Sequence, residues 1–354
     1  MKKVYLLFLV CTLFLIGFRF GTVNLCRDAV RELKRKTTLE SIQPLPPTAP
    51  VWINLVQNPL IGEQPAGPLR WPSDPFVLKE GDRFRMWFGA HNPEENVTRI
   101  GYAESEDGVH WILNNEPVVP LGTSTAFDSK DVETPTIVRD GNTYHLWYSG
   151  ARHDRGYQIG HAVSDDGIEW TKEPEHPVLY ASDNPYAWTG LGVLEPTVIL
   201  ESSTFKMWFV GLGLDPVDST TIHVHLGYAT SSDGQIWDLH EDNPLLKLAS
   251  YKEGDLINSA FFVLRNGDYY QLFYLGGGTK VPDIYGTSRD GLSWSVSFTE
   301  VLPVGSADSW NSWVVGAPTI LLDSVDGYTM WYSGGRLDSN FGMHFGIGGA
   351  KAAR

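Results

Sequence analysis

Cysteine is scarce in this chain of 354 residues, and the two present, Cys11 and Cys26, both precede residue 50. Residues 51–354 therefore hold neither a disulfide nor a thiolate metal site. Positive charge is scarce there as well. The whole chain has 27 Lys and Arg against 42 Asp and Glu, and residues 1–50 take eight of the basic and three of the acidic ones, which leaves 19 against 39 and a net charge of −20 on the remainder. Such a surface repels phosphate backbones, so nucleic acid is excluded as a partner. Long apolar runs are missing with one exception, Val4–Phe18, broken by Thr12 and preceded by Lys2 and Lys3. That is the layout of a signal peptide or membrane anchor over residues 1–26, and it predicts a hydrophobic helix and an extracytoplasmic protein, secreted or membrane-anchored. Residues 27–50 read as a linker, basic from Arg27 to Lys36 and then extended by Pro44, Pro46, Pro47 and Pro50.

Aromatic residues, by contrast, are plentiful and periodic. Five apolar strands end in tags centred on Trp87, Trp147, Trp208, Phe273 and Trp331, spaced 60, 61, 65 and 58 residues apart. Four of them precede an S-x-D-G-x-x-W turn, ending at Trp111, Trp170, Trp237 and Trp294. A period that long in all-β sequence means one supersecondary unit repeated radially. Each unit reads as four strands, an apolar inner one, an alternating second, a third, and a fourth after the Asp-Gly turn. The fifth unit stops at its third strand. Trp52 followed by Asn58-Pro59-Leu60 repeats the spacing of Trp237 followed by Asn243-Pro244-Leu245, so the strand around Trp52 supplies the missing edge. The expected fold is an all-β, five-bladed β-propeller over residues 51–354, with about four antiparallel strands per blade and its ring closed by the N-terminal strand.

The starts of the inner strands converge on one mouth of such a ring. There the units are unequal: Asp74 and Glu195 stand directly before a proline in units 1 and 3, Asp131 and Glu133 lie just before Thr134-Pro135 in unit 2, and units 4 and 5 have Ser259-Ala260 and Gly316-Ala317. Carboxyls sharing a site have their pKa values pushed apart, so one can protonate a leaving group while another stays ionised. Glycoside cleavage requires that arrangement. Candidate substrate walls are Arg152 and His153 on a tight hairpin, Arg336, Trp71 beside Asp74, and a sugar-stacking platform of Trp310, Asn311 and Trp313. His223 and His225 share a strand face but lack a third ligand, so no metal and no cofactor is expected.

Trp71-Pro72-Ser73-Asp74-Pro75, the S-x-D-G-x-x-W turns and the five units resemble the glycoside hydrolase superfamily that contains families 43, 32, 68, 117 and 130, over residues 51–354. The resemblance implies a carbohydrate substrate, with Asp74 as base or nucleophile, Glu195 as general acid, and either Asp131 or Glu133 as the carboxylate that tunes the acid and holds substrate hydroxyls. The chain has no R-D-P motif and reads E-P-T at the acid, which argues against an invertase. Two alternatives stand beside a hydrolase. One is a non-catalytic carbohydrate-binding propeller. The other is a phosphorylase or glycosyltransferase of the same fold, for which Arg152, His153, Lys280 or Arg336 would converge on a phosphate.

Overall fold

The computed structural model describes residues 47–354 apart from 174–175, 253–254, 256, 279–280, 324–326, 339–341 and 354, and the backbone alone of Arg155. The chain divides into two units, Met1–Pro46 and Pro47–Arg354. The expected apolar helix and basic stretch lie outside the described residues, as does Lys280. Among the described residues no helix is long and apolar enough to cross a membrane.

The described part is all-β. A short strand, β1 (Ile53–Asn54), is followed by set 1, comprising β2 (Trp71–Glu80), β3 (Arg83–Asn92), β4 (Val97–Ser105) and β5 (Ile112–Leu113). Set 2 is β6 (Asp131–Asp140), β7 (Thr143–Arg152), β8 (Arg155–Ser164) and β9 (Thr171–Lys172). Set 3 is β10 (Gly192–Glu201), β11 (Thr204–Leu214), β12 (Ile222–Ser231) and β13 (Asp238–Leu239), with β14 (Leu246–Tyr251) also paired to β12. Set 4 is β15 (Phe261–Asn266), β16 (Tyr269–Tyr274), β17 (Ile284–Ser288) and β18 (Ser295–Phe298). Set 5 is β19 (Val314–Leu322), β20 (Gly327–Leu337) and β21 (Met343–Ala353), with β1 antiparallel on its edge through Ile53↔Lys351 and Asn54↔Ala350. Neighbours within each set are antiparallel. The first strands of the sets neighbour one another in the cyclic order β2, β6, β10, β15, β19 and back to β2. The sheets themselves are not closed.

The hydrophobic core lies between sets. Trp87 and Tyr102 of set 1 pack with Val132, Ile137 and Leu146 of set 2, for example, and Phe273 and Tyr285 of set 4 pack with Trp52, Met330 and Tyr332 of set 5. The repeated turns explain how the sets lock together. In each, the Ser Oγ accepts the Gly N–H and the Asp Oδ1 accepts the two N–H groups after the Gly, as at Ser105, Asp107, Gly108, Val109 and His110. The Gly takes a left-handed φ of 74–78°, and its carbonyl points at the preceding set. There the tag indole donates to it: Trp87 to Gly167, Trp147 to Gly234, Trp208 to Gly291 and Trp331 to Gly108, all at 2.7–2.8 Å. A Cβ on Gly291 would come within 2.6 Å of the Trp208 ring, so glycine is required for the approach as well as for the angle.

The fifth junction differs in a consistent way. Set 5 has no S-x-D-G-x-x-W sequence, and the tag facing it is the one whose centre, Phe273, has no ring N–H. Trp52 fills the place instead, edge-on to Phe273 at 6.2 Å, just as Trp237 stands edge-on to Trp147 at 5.9 Å.

Trp208 is fully buried, so Trp208→Phe leaves the Gly291 carbonyl without its donor and a void beside it. The expected cost is about 2–3 kcal/mol of stability in denaturant unfolding. A change under about 0.5 kcal/mol would show that the indole N–H does not hold the junction.

Candidate active site

The inner strands bend where they enter the middle of the fold. Pairing of β2 with β3, β6 with β7, β10 with β11 and β19 with β20 shifts register at Ser73/Phe76, Glu133/Thr136, Leu194/Thr197 and Gly316/Thr319. At each shift the residue before proline takes a left-handed φ: Asp74 49°, Thr134 49°, Glu195 56° and Ala317 44°. A bulge of this kind re-aims one side chain out of the strand's alternation. A non-glycine residue there costs about 1–2 kcal/mol, a strain that folded proteins keep mainly at functional positions.

These bends surround one cavity of about 30 Å³, lined by Asp74-Pro75, Thr134-Pro135, Glu195-Pro196, Ala260-Phe261 and Ala317-Pro318 together with Phe262. It has room for about two waters. The rings of Phe76 and Phe262, from sets 1 and 4, meet beside it at 6.4 Å. Asp74, Glu133 and Glu195 are half-buried amid buried neighbours, so each keeps an accessible face. Asp74 and Glu133 lie against the same spot of β3: a Cβ on Gly89 would stand 3.1 Å from Asp74 Oδ2 and 3.5 Å from Glu133 Cβ.

The electrostatics follow from that crowding. Burial raises the Asp74 carboxyl, opposed by the Ser73 hydroxyl that donates to Oδ2 at 2.7 Å. Burial, then the charges of Asp74 and Asp131, push Glu133 up to about 8, against a hydrogen bond from Tyr157. Burial and the Asp74 charge hold Glu195 well above the usual carboxylate range, although Ser259 Oγ donates to Oε1 at 2.9 Å. Three acids that interact this strongly share their protons, and near neutral pH at least one of them is a proton donor.

Asp131 is placed differently. It is 2% exposed, Oδ1 accepts the Thr98 N–H at 2.9 Å, and Oδ2 accepts Lys130 Nζ at 2.7 Å. Thr98 is also its partner in the parallel bridge between β4 and β6, so Asp131 ties sets 1 and 2 together with both oxygens occupied. Arg152 donates to both Asp154 oxygens and to the Thr125 carbonyl, while His153 beside it is exposed. Trp71 lies between the rings of His91 at 5.6 Å and His344 at 5.1 Å, its Nε1 donating to Glu63. Arg336 is exposed on β20 and pairs in register with His344.

Of the expected aromatic platform, Trp310 is packed inward. It stands against Tyr332 at 5.7 Å and fills the space over Gly334 and Gly348. Phe127 over Gly150 and Gly160, and Trp188 over Gly211 and Gly227, do the same in sets 2 and 3. Asn311 is buried and donates to Tyr332 Oη at 3.4 Å. Trp313 is 41% exposed. His223 bonds Asp215 and Ser250, and no group of three metal-type ligands occurs among the described residues.

Sequence reasoning missed Tyr157, Ser73, Ser259, Ser149 and Ser333. The last two were visible: they stand in the tags Tyr148-Ser149-Gly150 and Tyr332-Ser333-Gly334, while the other three tags have Gly89, Val210 and Leu275 at that place. Nothing in the sequence around Tyr157 singles it out.

Antiparallel sets arranged radially, with acids at the starts of their inner strands, define a propeller of the glycoside hydrolase type. The chain is similar to members of that superfamily, without assignment to one of its families. Residues 71–243 match the family model for the glycosyl hydrolases family 32 N-terminal domain. The chain is 27% identical over 287 residues to the uncharacterized protein Rv1502 of Mycobacterium tuberculosis, covering 75% of this chain and 92% of that one. It is 32% identical over 108 residues to the β-1,2-mannobiose phosphorylase of a Thermoanaerobacter species, covering 27% of this chain and 35% of that one. Among solved structures, its fold is like that of the family 117 glycoside hydrolase Zg3597 of Zobellia galactanivorans (TM-score 0.64, 13% identity, 86% of this chain and 90% of that one). It is also like that of the β-1,2-mannobiose phosphorylase of Listeria innocua, solved with β-1,2-mannobiose (TM-score 0.61, 13% identity, 85% and 96%).

An acid whose folded pKa lies above its unfolded value binds more protons folded than unfolded in between. Stability is therefore full below the ordinary value of 4.5 and is lost as pH rises through about 8 for Glu133. Glu133→Gln removes the buried charge, so it should stabilise the protein by about 2 kcal/mol at pH 8 and leave it unchanged at pH 4. Melting curves at the two pH values read this directly; equal shifts at both would show that Glu133 is not held protonated by the fold.

Proposed function

We propose that the chain is a carbohydrate-active enzyme that cleaves a glycosidic bond at the three coupled carboxylates, in a propeller whose five blades are the five strand sets. Glu195 is the general acid and gives its proton to the leaving glycosidic oxygen. Asp74, with Ser73 donating to its carboxylate, is the ionised partner that acts as base or nucleophile at the anomeric carbon. Glu133, between them and bonded by Tyr157, tunes the acid and holds sugar hydroxyls, while Asp131 fixes the strand that carries it. Trp71 and Arg336 form the wall on the set 5 side, Arg152 and His153 that on the set 2 side, and Trp313 the exposed aromatic face.

The observation that carries this reading is electrostatic. Burial raises the carboxyls of Asp74, Glu133 and Glu195, the Asp74 charge raises the other two further, and Asp74 and Glu195 line one cavity; a purely structural carboxylate gains nothing from being desolvated among like charges. The apolar segment before residue 27 would carry the enzyme out of the cytoplasm, secreted or anchored.

Water is the acceptor in this reading. Phosphate is the acceptor in a second one, which the sequence likeness to a β-1,2-mannobiose phosphorylase favours and for which exposed Arg336 and His153 are candidate cations among the described residues.

Glu195→Gln should keep the fold and lower turnover about 10²–10⁴-fold, with partial recovery on aryl glycosides whose leaving group needs no proton. A fully active Gln variant rules out the assigned acid. Sugar binding by the wild type with no turnover on aryl arabinosides, xylosides, fructosides, galactosides and mannosides would indicate a binding module instead. Turnover of β-1,2-mannobiose that appears only when inorganic phosphate is added would select phosphorolysis over hydrolysis.

A further inference from the structure

Ser149 and Ser333 occupy one position of the repeat, two residues past the tag tryptophan, on the second strands of sets 2 and 5. Each is buried, at 0% and 6% exposure. Each reaches the set that follows it in the ring. The Glu195 N–H, in set 3, donates to Ser149 Oγ at 2.9 Å, and the Asp74 N–H, in set 1, donates to Ser333 Oγ at 2.7 Å. Both N–H groups belong to the left-handed residues of the bulges. Ser149 Oγ also shares a short hydrogen bond with Thr134 Oγ1, so the bulge of its own set is tied to the same hydroxyl that holds the Glu195 amide.

The same position in the other sets shows what the serine is for. Before Thr134 it is Gly89, and before Ala317 it is Leu275, yet both those bulges form with the same backbone angle. Val210 precedes Ala260, where no such angle occurs. The bulge therefore does not need a serine. A serine occurs at the two places where the bulge residue is itself a carboxylate, and Gly89 leaves room for Asp74 and Glu133 to meet.

We infer that Ser149 and Ser333 are positioning residues for catalysis: each fixes, from the neighbouring set, the backbone amide from which Glu195 or Asp74 reaches the substrate. This rests on the assignment of Glu195 and Asp74 as the reacting acids. A hydroxyl accepting that N–H restrains the bulge against rocking, and displacement of a reacting group by about 1 Å is enough to slow chemistry about a hundredfold.

The test uses the full chain and the 4-nitrophenyl glycoside that the wild type turns over. Ser149→Ala and Ser333→Ala should each lower kcat about tenfold to a hundredfold, with KM within about threefold; the melting temperature falls by a few degrees as the amide loses its acceptor, with the protein still folded at the assay temperature. In a Glu195→Gln background, Ser149→Ala should cause no further loss, because the group it positions has already been removed. Val210→Ala, a packing change at the equivalent position, should leave kcat as it is. If an alanine variant does not fold, Ser149→Gly or Ser333→Gly, the residue set 1 carries there, replaces it. Wild-type kcat in the serine variants, or an equal loss with and without Glu195, overturns the inference. It falls alone if Glu195→Gln is inactive while the serine variants are normal; the functional assignment falls if Glu195→Gln is itself fully active.

Discussion

The hydrogen bond from a tag indole to the glycine carbonyl of the next set's turn is the interaction on which the rest depends. An antiparallel set of four strands has two apolar faces and cannot bury both unaided. It buries them against its neighbours, and the turn carbonyl is then drawn into that interface, where an unpaired acceptor would be costly. The indole answers both needs at once, supplying buried area and the missing donor. Because it links the outer turn of one set to the second strand of the preceding one, it sets the spacing between sets. That spacing in turn decides how far apart the inner strands enter the middle.

On that regular frame the inner strand starts are irregular, and the irregularity is locally unfavourable. Left-handed backbone at non-glycine residues and desolvated acids of like charge both oppose folding. They are tolerated because the surrounding sets over-determine their position: Ser149 and Ser333 reach in from neighbours, Ser259 and Tyr157 donate to carboxyl oxygens, and Asp131 anchors β6 with both oxygens satisfied. The strong positions are fully paired and the weak positions face the cavity. An acid that is crowded and only partly paired holds its proton near neutrality.

The repeat was legible in the sequence because it is written in residue types with few substitutes. Asp-Gly with Ser two before and Trp three after has one structural use, and Trp52 with Asn58-Pro59-Leu60 revealed β1 on the edge of β21 by the same means. Asp74, Glu133 and Glu195 could be found because their sets are unequal where the frame is equal. What was not legible depends on third dimensions that the repeat does not encode. Asp131 and Glu133 lie on the same side of one strand, and what separates them is Lys130 and the Thr98 bridge across to set 1. Trp310 looked like a platform, but the glycines that receive its ring are over twenty residues away. Arg152 was expected in a substrate wall, and what the sequence does not show is that its guanidinium is taken up by Asp154 and the Thr125 carbonyl. Tyr157 is an ordinary strand residue until Glu133 is set beside it.

The pairing of β1 with β21 has a consequence on the ribosome. Ile53 waits for Lys351, and at about 5–20 residues per second those roughly 300 residues take about 15–60 s to synthesise. For that interval β1 has no partner strand, and Trp52 has no Phe273 until that residue too is made. The emerging chain must keep that unpaired edge from meeting other chains until Ala350 and Lys351 have been made.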